Sequence, residues 1–285
     1  MRKRAGAENG IIAVFIILVL MMTIIFVVKV GDRIWMSWKD NTGLGDTLIT
    51  TEKEKEDETL KVIKKKDKID AFAKENGLLR TAWPEELIEL LESNPEAEEF
   101  VLNYPIKKDQ SFEIDLSEYE HTDSVPLFLQ WDERWGYTVY GSNVMGLTGC
   151  GPTCLSMVLV HLLQDATYTP CYVADFAEEN NYYTNGSGSK WTLISEGGET
   201  LGLDVTELPL DENRMKKNLE LGNPIICIMG PGDFTAAGHF IVLRGLEDGK
   251  FIVNDPNSRK NSEKLWSYEE ISGQIKNLWA CRKPE

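Results

Sequence analysis

The apolar and polar positions along the chain change character several times. From Ile11 to Val28 the sequence runs without a charge. About 18 or more apolar residues suffice to span a bilayer core as a helix. From Thr51 to Lys74 it turns dense in Lys and Glu, with Leu60, Ile63, Ile69 and Phe72 at loosely helical spacing, which predicts a solvated helix acting as a stalk. Pro84 then opens a helix over Glu85 to Glu92 whose apolar side carries Leu87, Ile88, Leu90 and Leu91. Asn94-Pro95 reads as a cap followed by proline at the first helical position, so a second short helix runs to about Leu102. The alternation Phe112-Glu113-Ile114-Asp115-Leu116 predicts a short strand or an extended segment packing back.

A different pattern starts near Val125. Pro126 to Trp131 is extended, and an aromatic group of Trp131, Trp135, Tyr137 and Tyr140 follows. The stretch from Gly149 to Leu163 starts as a glycine turn, places Pro152 in a first helical turn and continues almost wholly apolar. That predicts a helix buried on nearly all faces, at the centre of a domain. Helices over Tyr168 to Asn180, Trp191 to Leu201 and Asp211 to Leu219 follow, the first two separated by the loop from Asn185 to Ser189. Pro224 to Met229 is a short apolar run bounded by turn residues, hence a buried strand. His239 to Gly245 and Lys250 to Asn254 flank Glu247-Asp248-Gly249 as a hairpin. Helices first and an antiparallel sheet after them make the fold class α+β.

The domain organisation that follows is a basic cytoplasmic tail over 1–10, a transmembrane signal anchor over 11–30 and a juxtamembrane loop and charged stalk over 31–80. A helical arm over 81–124 and the main domain over 125–285 complete it. A cleaved signal peptide has a shorter apolar core and a small-x-small site, whereas Lys29-Val30-Gly31-Asp32-Arg33 follows here. Trp35 and Trp38 suit the membrane–water interface, and Arg2, Lys3 and Arg4 orient the main domain to the extracytoplasmic side. The net charge of −16 argues against nucleic acid as a partner. The five cysteines are odd in number and include no CxxC pair, so neither a zinc site nor a disulfide framework is indicated, and no cofactor is called for.

Chemistry concentrates at Cys150. It lies at the N-terminal edge of the central helix, where unpaired backbone N–H groups and the helix dipole stabilise a thiolate, and glycines flank it. Cys154, one turn further in among Leu155, Met157 and Val158, reads as a small buried hydrophobe. Of the three histidines, His121 lies in the linker and His161 about two turns past the nucleophile, which leaves His239 as the base. Asn254 and Asp255 both compete to orient it. A two-residue Asp248-Gly249 turn puts Asn254 on the His239 face. A three-residue loop with a bulge at Gly249 pairs Leu246 with Lys250, sets Ile241 opposite Asp255 and puts Asp255 on that face. Both loops are allowed, and the three-residue loop is favoured.

The segments Val125 to Trp135, Gly149 to Met157, Gly238 to Gly245 and Val253 to Pro256 resemble the bacteriocin-processing cysteine peptidases. These are papain-like enzymes that cut leader peptides after double glycine, and the resemblance is to their stand-alone relatives carrying Gly-Cys-Gly-Pro-Thr. It implies a papain-like fold, Cys150 as nucleophile, His239 as base, Asp255 as orienting residue, Gln130 as oxyanion-hole donor and a peptide or protein substrate. No ATP-binding GxxxxGK[ST] motif is present, and an extracytoplasmic domain does not fit leader processing inside the cell. The function expected is a membrane-anchored extracytoplasmic cysteine peptidase. The alternatives are a non-catalytic cell-wall or protein interaction module, and an amidase or acyltransferase on the same triad. Protease shaving of intact cells is expected to release the main domain and leave the anchor. A domain that survives shaving and is cut only after lysis would reverse the orientation.

Overall fold

The computed structural model describes residues 68–284. The apolar run from Ile11 to Val28, the loop after it and the charged stretch up to residue 67 lie outside the described residues, and with them the tail, the anchor and most of the stalk. Among the described residues no helix is long and apolar enough to cross a membrane.

The described chain starts with helix α1 over residues 68–76. The expectation of a solvated helix is corrected here. Ile69 and Ala73, four residues apart and so on one face, are buried in the same apolar cluster as Trp83 and Leu87. Helix α2, Glu85–Ser93, buries Leu87, Ile88, Leu90 and Leu91 as predicted. The Asn94 side chain accepts from the Glu96 N–H at 3.0 Å, and Pro95–Ala97 forms a 3₁₀ turn that leads into α3, Glu98–Lys107. This helix outruns its expected end at Leu102 and contains Pro105. Proline removes the N–H that would have bonded the carbonyl four residues back. That carbonyl is Val101 O, and the Trp83 indole N–H donates to it at 2.7 Å instead. The Phe112 to Leu116 segment forms no strand; Ile114 and Leu116 pack against the central core while Glu113 and Asp115 point out.

Helix α4, Cys150–Leu163, is the central helix, and every residue from Gly151 to Val160 is buried. Its C-terminus is closed by Gln164 in the left-handed region, φ 56°. Helix α5, Pro170–Glu179, packs beside it, capped by Thr169. The expected loop at 185–189 is the tip of a small hairpin pairing Tyr183 with Ser189. The expected helix after Trp191 is wound as a π-turn over Leu193–Gly197. Helix α6 is Glu212–Glu220.

Six antiparallel strands form the sheet: β1 Asp204–Glu207, β2 Ile225–Met229, β3 His239–Glu247, β4 Lys250–Asn254, β5 Leu265–Trp266 and β6 Ile275–Arg282, in the order β1-β6-β2-β3-β4-β5. Ile226, Ile228, Phe240 and Val242 join the core around α4, while Ile225, Cys227, Ile241 and Leu243 join a second core with Met215 and Leu219 of α6. With both faces covered, β2 has no polar face to show, which is why its sequence is a continuous apolar run.

The β3–β4 turn corrects the loop expectation. Glu247 pairs with Lys250 across a two-residue turn, with Asp248 at φ 50° and Gly249 at φ 75°, both left-handed as a primed hairpin turn requires. The extra residue sits further down the strand. The register shifts between Leu243 and Gly245, so Arg244 is a bulge. Beyond it Leu243 pairs with Val253 and Val242 with Asn254, the register that the three-residue loop would have produced. Asn254 therefore faces α4, where its Nδ2 donates to Val125 O at 3.1 Å and Pro126 O at 2.9 Å. Asn254→Ala strands both buried carbonyls and is expected to cost about 1–3 kcal/mol of stability in urea unfolding, with the pH profile of Cys150 alkylation unchanged.

Candidate active site

Gly149 ends a short helical turn, Met145–Thr148, and serves as the N-cap residue of α4, so Cys150 is the first helical residue. The glycine at position 151 is required by close packing, because a Cβ there would fall 2.5 Å from Ser189 Oγ. Ser189 is held in place by the buried Tyr140 hydroxyl at 2.7 Å. Cys150 is half-buried at the mouth of a cleft of about 720 Å³, which Trp191, Tyr183, Gly238 and His239 also line.

His239 opens β3 and is buried. Its Nε2 lies 2.7 Å from Asp255 Oδ1, and Asp255 is 1% exposed. A carboxylate only accepts, so Nε2 carries the proton and Nδ1 is the nitrogen left for the Cys150 thiol. The carboxylate is itself fixed. Oδ1 also accepts from the Asn257 N–H at 2.8 Å, and Oδ2 accepts from Asn261 Nδ2 at 2.8 Å. Just past the ladder's last pair, Asp255 bridges to Ser258 in a tight turn.

The electrostatics follow from this row of groups. Burial alone raises the Cys150 pKa; the hydrogen bond and charge of His239, together with the backbone N–H groups of Phe240 and Gly151, outweigh it, and the net shift is downward. Burial alone lowers the His239 pKa; the charge and hydrogen bond of Asp255, helped by Cys150, outweigh it, and the net shift is upward. A thiol pushed down beside an imidazole pushed up is the arrangement that favours a thiolate–imidazolium pair. Cys154 goes the other way: burial first, then the charges of Cys150 and Asp255, push its thiol well above the ordinary range.

The remaining residues singled out in the sequence fall outside this row. His161 is half-buried on α4, its pKa lowered by burial, and His121 contacts Gln164 Oε1 at 3.2 Å. Neither lines the cleft. Gln130 is buried and is not among the residues that line the cleft. Its backbone N–H donates to Pro256 O at 2.7 Å and its Nε2 to Gly146 O at 2.9 Å, four residues before Cys150, while Oε1 has no partner among the described residues. Sequence reasoning did not anticipate Asn257 and Asn261 on the Asp255 carboxylate, or Trp191 as an apolar wall of the cleft. The only signal was polar residues crowding after Asp255, which reads as an ordinary turn.

A sequence model of the Peptidase_C39 like family matches residues 122–284. Among solved structures, the peptidase domain of Streptococcus ComA, a bifunctional ABC transporter involved in a quorum-sensing pathway, is 22% identical. That match covers 48% of this chain and 93% of that one, at a TM-score of 0.38. A protein described as a C39-like peptidase from Bacillus anthracis is 16% identical, with 60% and 97% of the two chains covered and a TM-score of 0.35. No curated protein matches the chain. With more than half of its length matched, including Cys150, His239 and Asp255, the chain belongs to the Peptidase_C39 like family.

Proposed function

We propose that this chain is a membrane-anchored extracytoplasmic cysteine peptidase that hydrolyses peptide bonds through Cys150, His239 and Asp255. The observation that carries the reading is the His239 ring, bonded at Nε2 to a buried carboxylate and facing a depressed-pKa thiol with its other nitrogen. Membership in a peptidase family supports the substrate class, a peptide or protein. The uncharged run from Ile11 to Val28 supports the anchor.

In the proposed reaction the Cys150 thiolate adds to the scissile carbonyl carbon, and the carbonyl oxygen takes the negative charge. The His239 imidazolium gives its Nδ1 proton to the departing amine as the tetrahedral intermediate collapses to a thioester. His239, now neutral, takes a proton from water as that water attacks the thioester, and the acid leaves as the thiolate and imidazolium are restored. Asp255 keeps the ring in one tautomer and stabilises its charged form. For the oxyanion we propose the Cys150 backbone N–H and the second N–H of Gln130 Nε2. Support for Gln130 comes from its bond to Gly146 O, which ties the amide to a residue four before Cys150 in the chain.

The pH dependence has a definite sign. The ion pair forms as pH rises through the depressed Cys150 pKa and is lost as pH rises through the elevated His239 pKa. The rate at which iodoacetamide alkylates Cys150 should therefore reach its plateau at a pH below the ordinary thiol range. In His239→Ala only burial and the backbone N–H groups remain, so the rise should move to alkaline pH and turnover should fall about 10²–10⁴-fold. Peptide mapping that finds Cys154 as the dominant alkylated residue near pH 6 would sink the assignment.

Gln130→Ala separates the oxyanion role from the rest. Turnover is expected to fall about 10²–10³-fold while the alkylation profile of Cys150 stays in place. Unchanged turnover in a folded Gln130→Ala protein would remove Gln130 from the reaction.

A further inference from the structure

The loop that carries Asp255 is not held by the strand before it. After Asp255 the ladder ends, and the chain runs through Pro256, Asn257 and Ser258 into the short helix α7, Arg259–Glu263. Both oxygens of the Asp255 carboxylate are fixed from this segment, by the Asn257 N–H and by Asn261 Nδ2. Two residues of the arm hold the segment in turn. Asn94 Nδ2 donates to Asn257 O at 2.5 Å and lies 3.2 Å from Asn257 Oδ1. The Glu96 carboxylate accepts from Ser258 Oγ at 2.8 Å, from the Arg259 N–H at 2.8 Å and from the Lys260 N–H at 3.3 Å. The first N–H groups of α7 have no partner within the helix, and Glu96 supplies both the acceptors and the negative charge that such an end favours. Asn94 is itself pinned, since its Oδ1 caps the Pro95 turn while its Nδ2 reaches the loop.

We propose that Asn94 and Glu96 are positioning residues for the orienting carboxylate: the arm clamps the 257–261 segment and so holds Asp255 against His239. The inference rests on the Cys150–His239–Asp255 reading. Asn94 and Glu96 precede residues 122–284, the segment that the family model matches, so the clamp joins a structure outside that segment to the triad within it. The linkage runs from Asn94 to the Asn257 backbone, to Asp255 Oδ1, to His239 Nε2. Releasing the clamp leaves the triad side chains intact but lets the carboxylate swing away from the ring. The imidazolium then loses its partner, the proton returns to the thiolate, and the neutral thiol–imidazole form gains at the expense of the reactive one.

The test uses the full-length chain and iodoacetamide, with Cys150 alkylation followed from pH 5 to 9. In Glu96→Ala and Asn94→Asp the rate at pH 6.5 is expected to fall about tenfold to hundredfold, the scale of a displacement near 1 Å. Glu96→Gln, which keeps an acceptor oxygen, is expected to fall less. Glu98→Gln, which alters only the arm's ion pair with Lys68, is expected to leave the profile in place. The decisive comparison repeats Glu96→Ala in an Asp255→Asn background. If Glu96 acts through Asp255, it adds little there; an equal loss in both backgrounds overturns the proposal. An unmoved profile in Glu96→Ala and Asn94→Asp also overturns it, provided Asp255→Asn alone lowers the rate. If Asp255→Asn leaves the rate unchanged, the triad reading fails and takes the clamp with it. Thermal melting of each variant identifies any that does not fold, and Glu96→Gln, the mildest change, then carries the comparison.

Discussion

The hydrogen bond between His239 and Asp255 is the interaction on which the rest of the site depends. Both groups are buried. An isolated ionised carboxylate in such a place is costly, and breaking a buried pair leaves that cost uncompensated. Here the Asp255 carboxylate accepts hydrogen bonds on both oxygens and faces His239, whose pKa it raises, and His239 in turn lowers that of the Cys150 thiol. The sulfur sits against the Phe240 N–H of β3 and the Gly151 N–H in the first turn of α4. The row therefore favours the same thiolate–imidazolium form that the proposed reaction uses.

That pair exists because of one inserted residue. Side chains alternate along a strand, so slipping the β3–β4 register by a single position exchanges the faces of every residue beyond the slip. A two-residue turn alone would have put Asn254 on the His239 face. The bulge at Arg244 restores the other register, turning Asn254 toward α4 and Asp255 toward His239. Bulges recur beside active sites because they re-aim a side chain. The cost is visible at Arg244, which is half-buried and has its pKa lowered by burial, with Glu247 as partial compensation.

Much of this was legible from sequence, for reasons specific to each element. The central helix announced itself through Gly149, Pro152 and an apolar run too complete for a surface helix. His239 stood out because the histidines are few and it follows small residues. The structure pairs Asp255, and not Asn254, with His239, but through a different turn from the one expected. One extra residue was needed in the hairpin, and sequence cannot tell a bulge at Gly249 from one at Arg244, since both yield the same register at Val242. Misses occurred where a distant group replaced a local one. The helix expected to end near Leu102 runs on through Pro105, because Trp83 supplies the missing donor to Val101 O. Ile69 and Ala73 read as part of a solvated stalk until Trp83 and Leu87 give them a core to join.

The acid loop is the extreme case of that last kind. Its backbone groups have left the ladder, and buried backbone groups must still be paired. The Asp255 N–H goes to Ser262 Oγ, Pro256 O takes the Gln130 N–H, and Asn257 O takes both Asn94 Nδ2 and the Trp131 indole N–H. The Arg259 and Lys260 N–H groups go to Glu96. Several of these partners lie well over a hundred residues earlier in the chain, on the arm or on the extended segment around Gln130 and Trp131. The conformation of Asp255-Pro256-Asn257-Ser258 is therefore a property of the tertiary structure and not of its own sequence. The same packing carries through to the nucleophile's side of the cleft. The arm's Phe100 lies so close to Gly146 that a Cβ there would fall 2.3 Å from its ring. The segments that carry Cys150 and Asp255, far apart in sequence, are thus both braced by the arm.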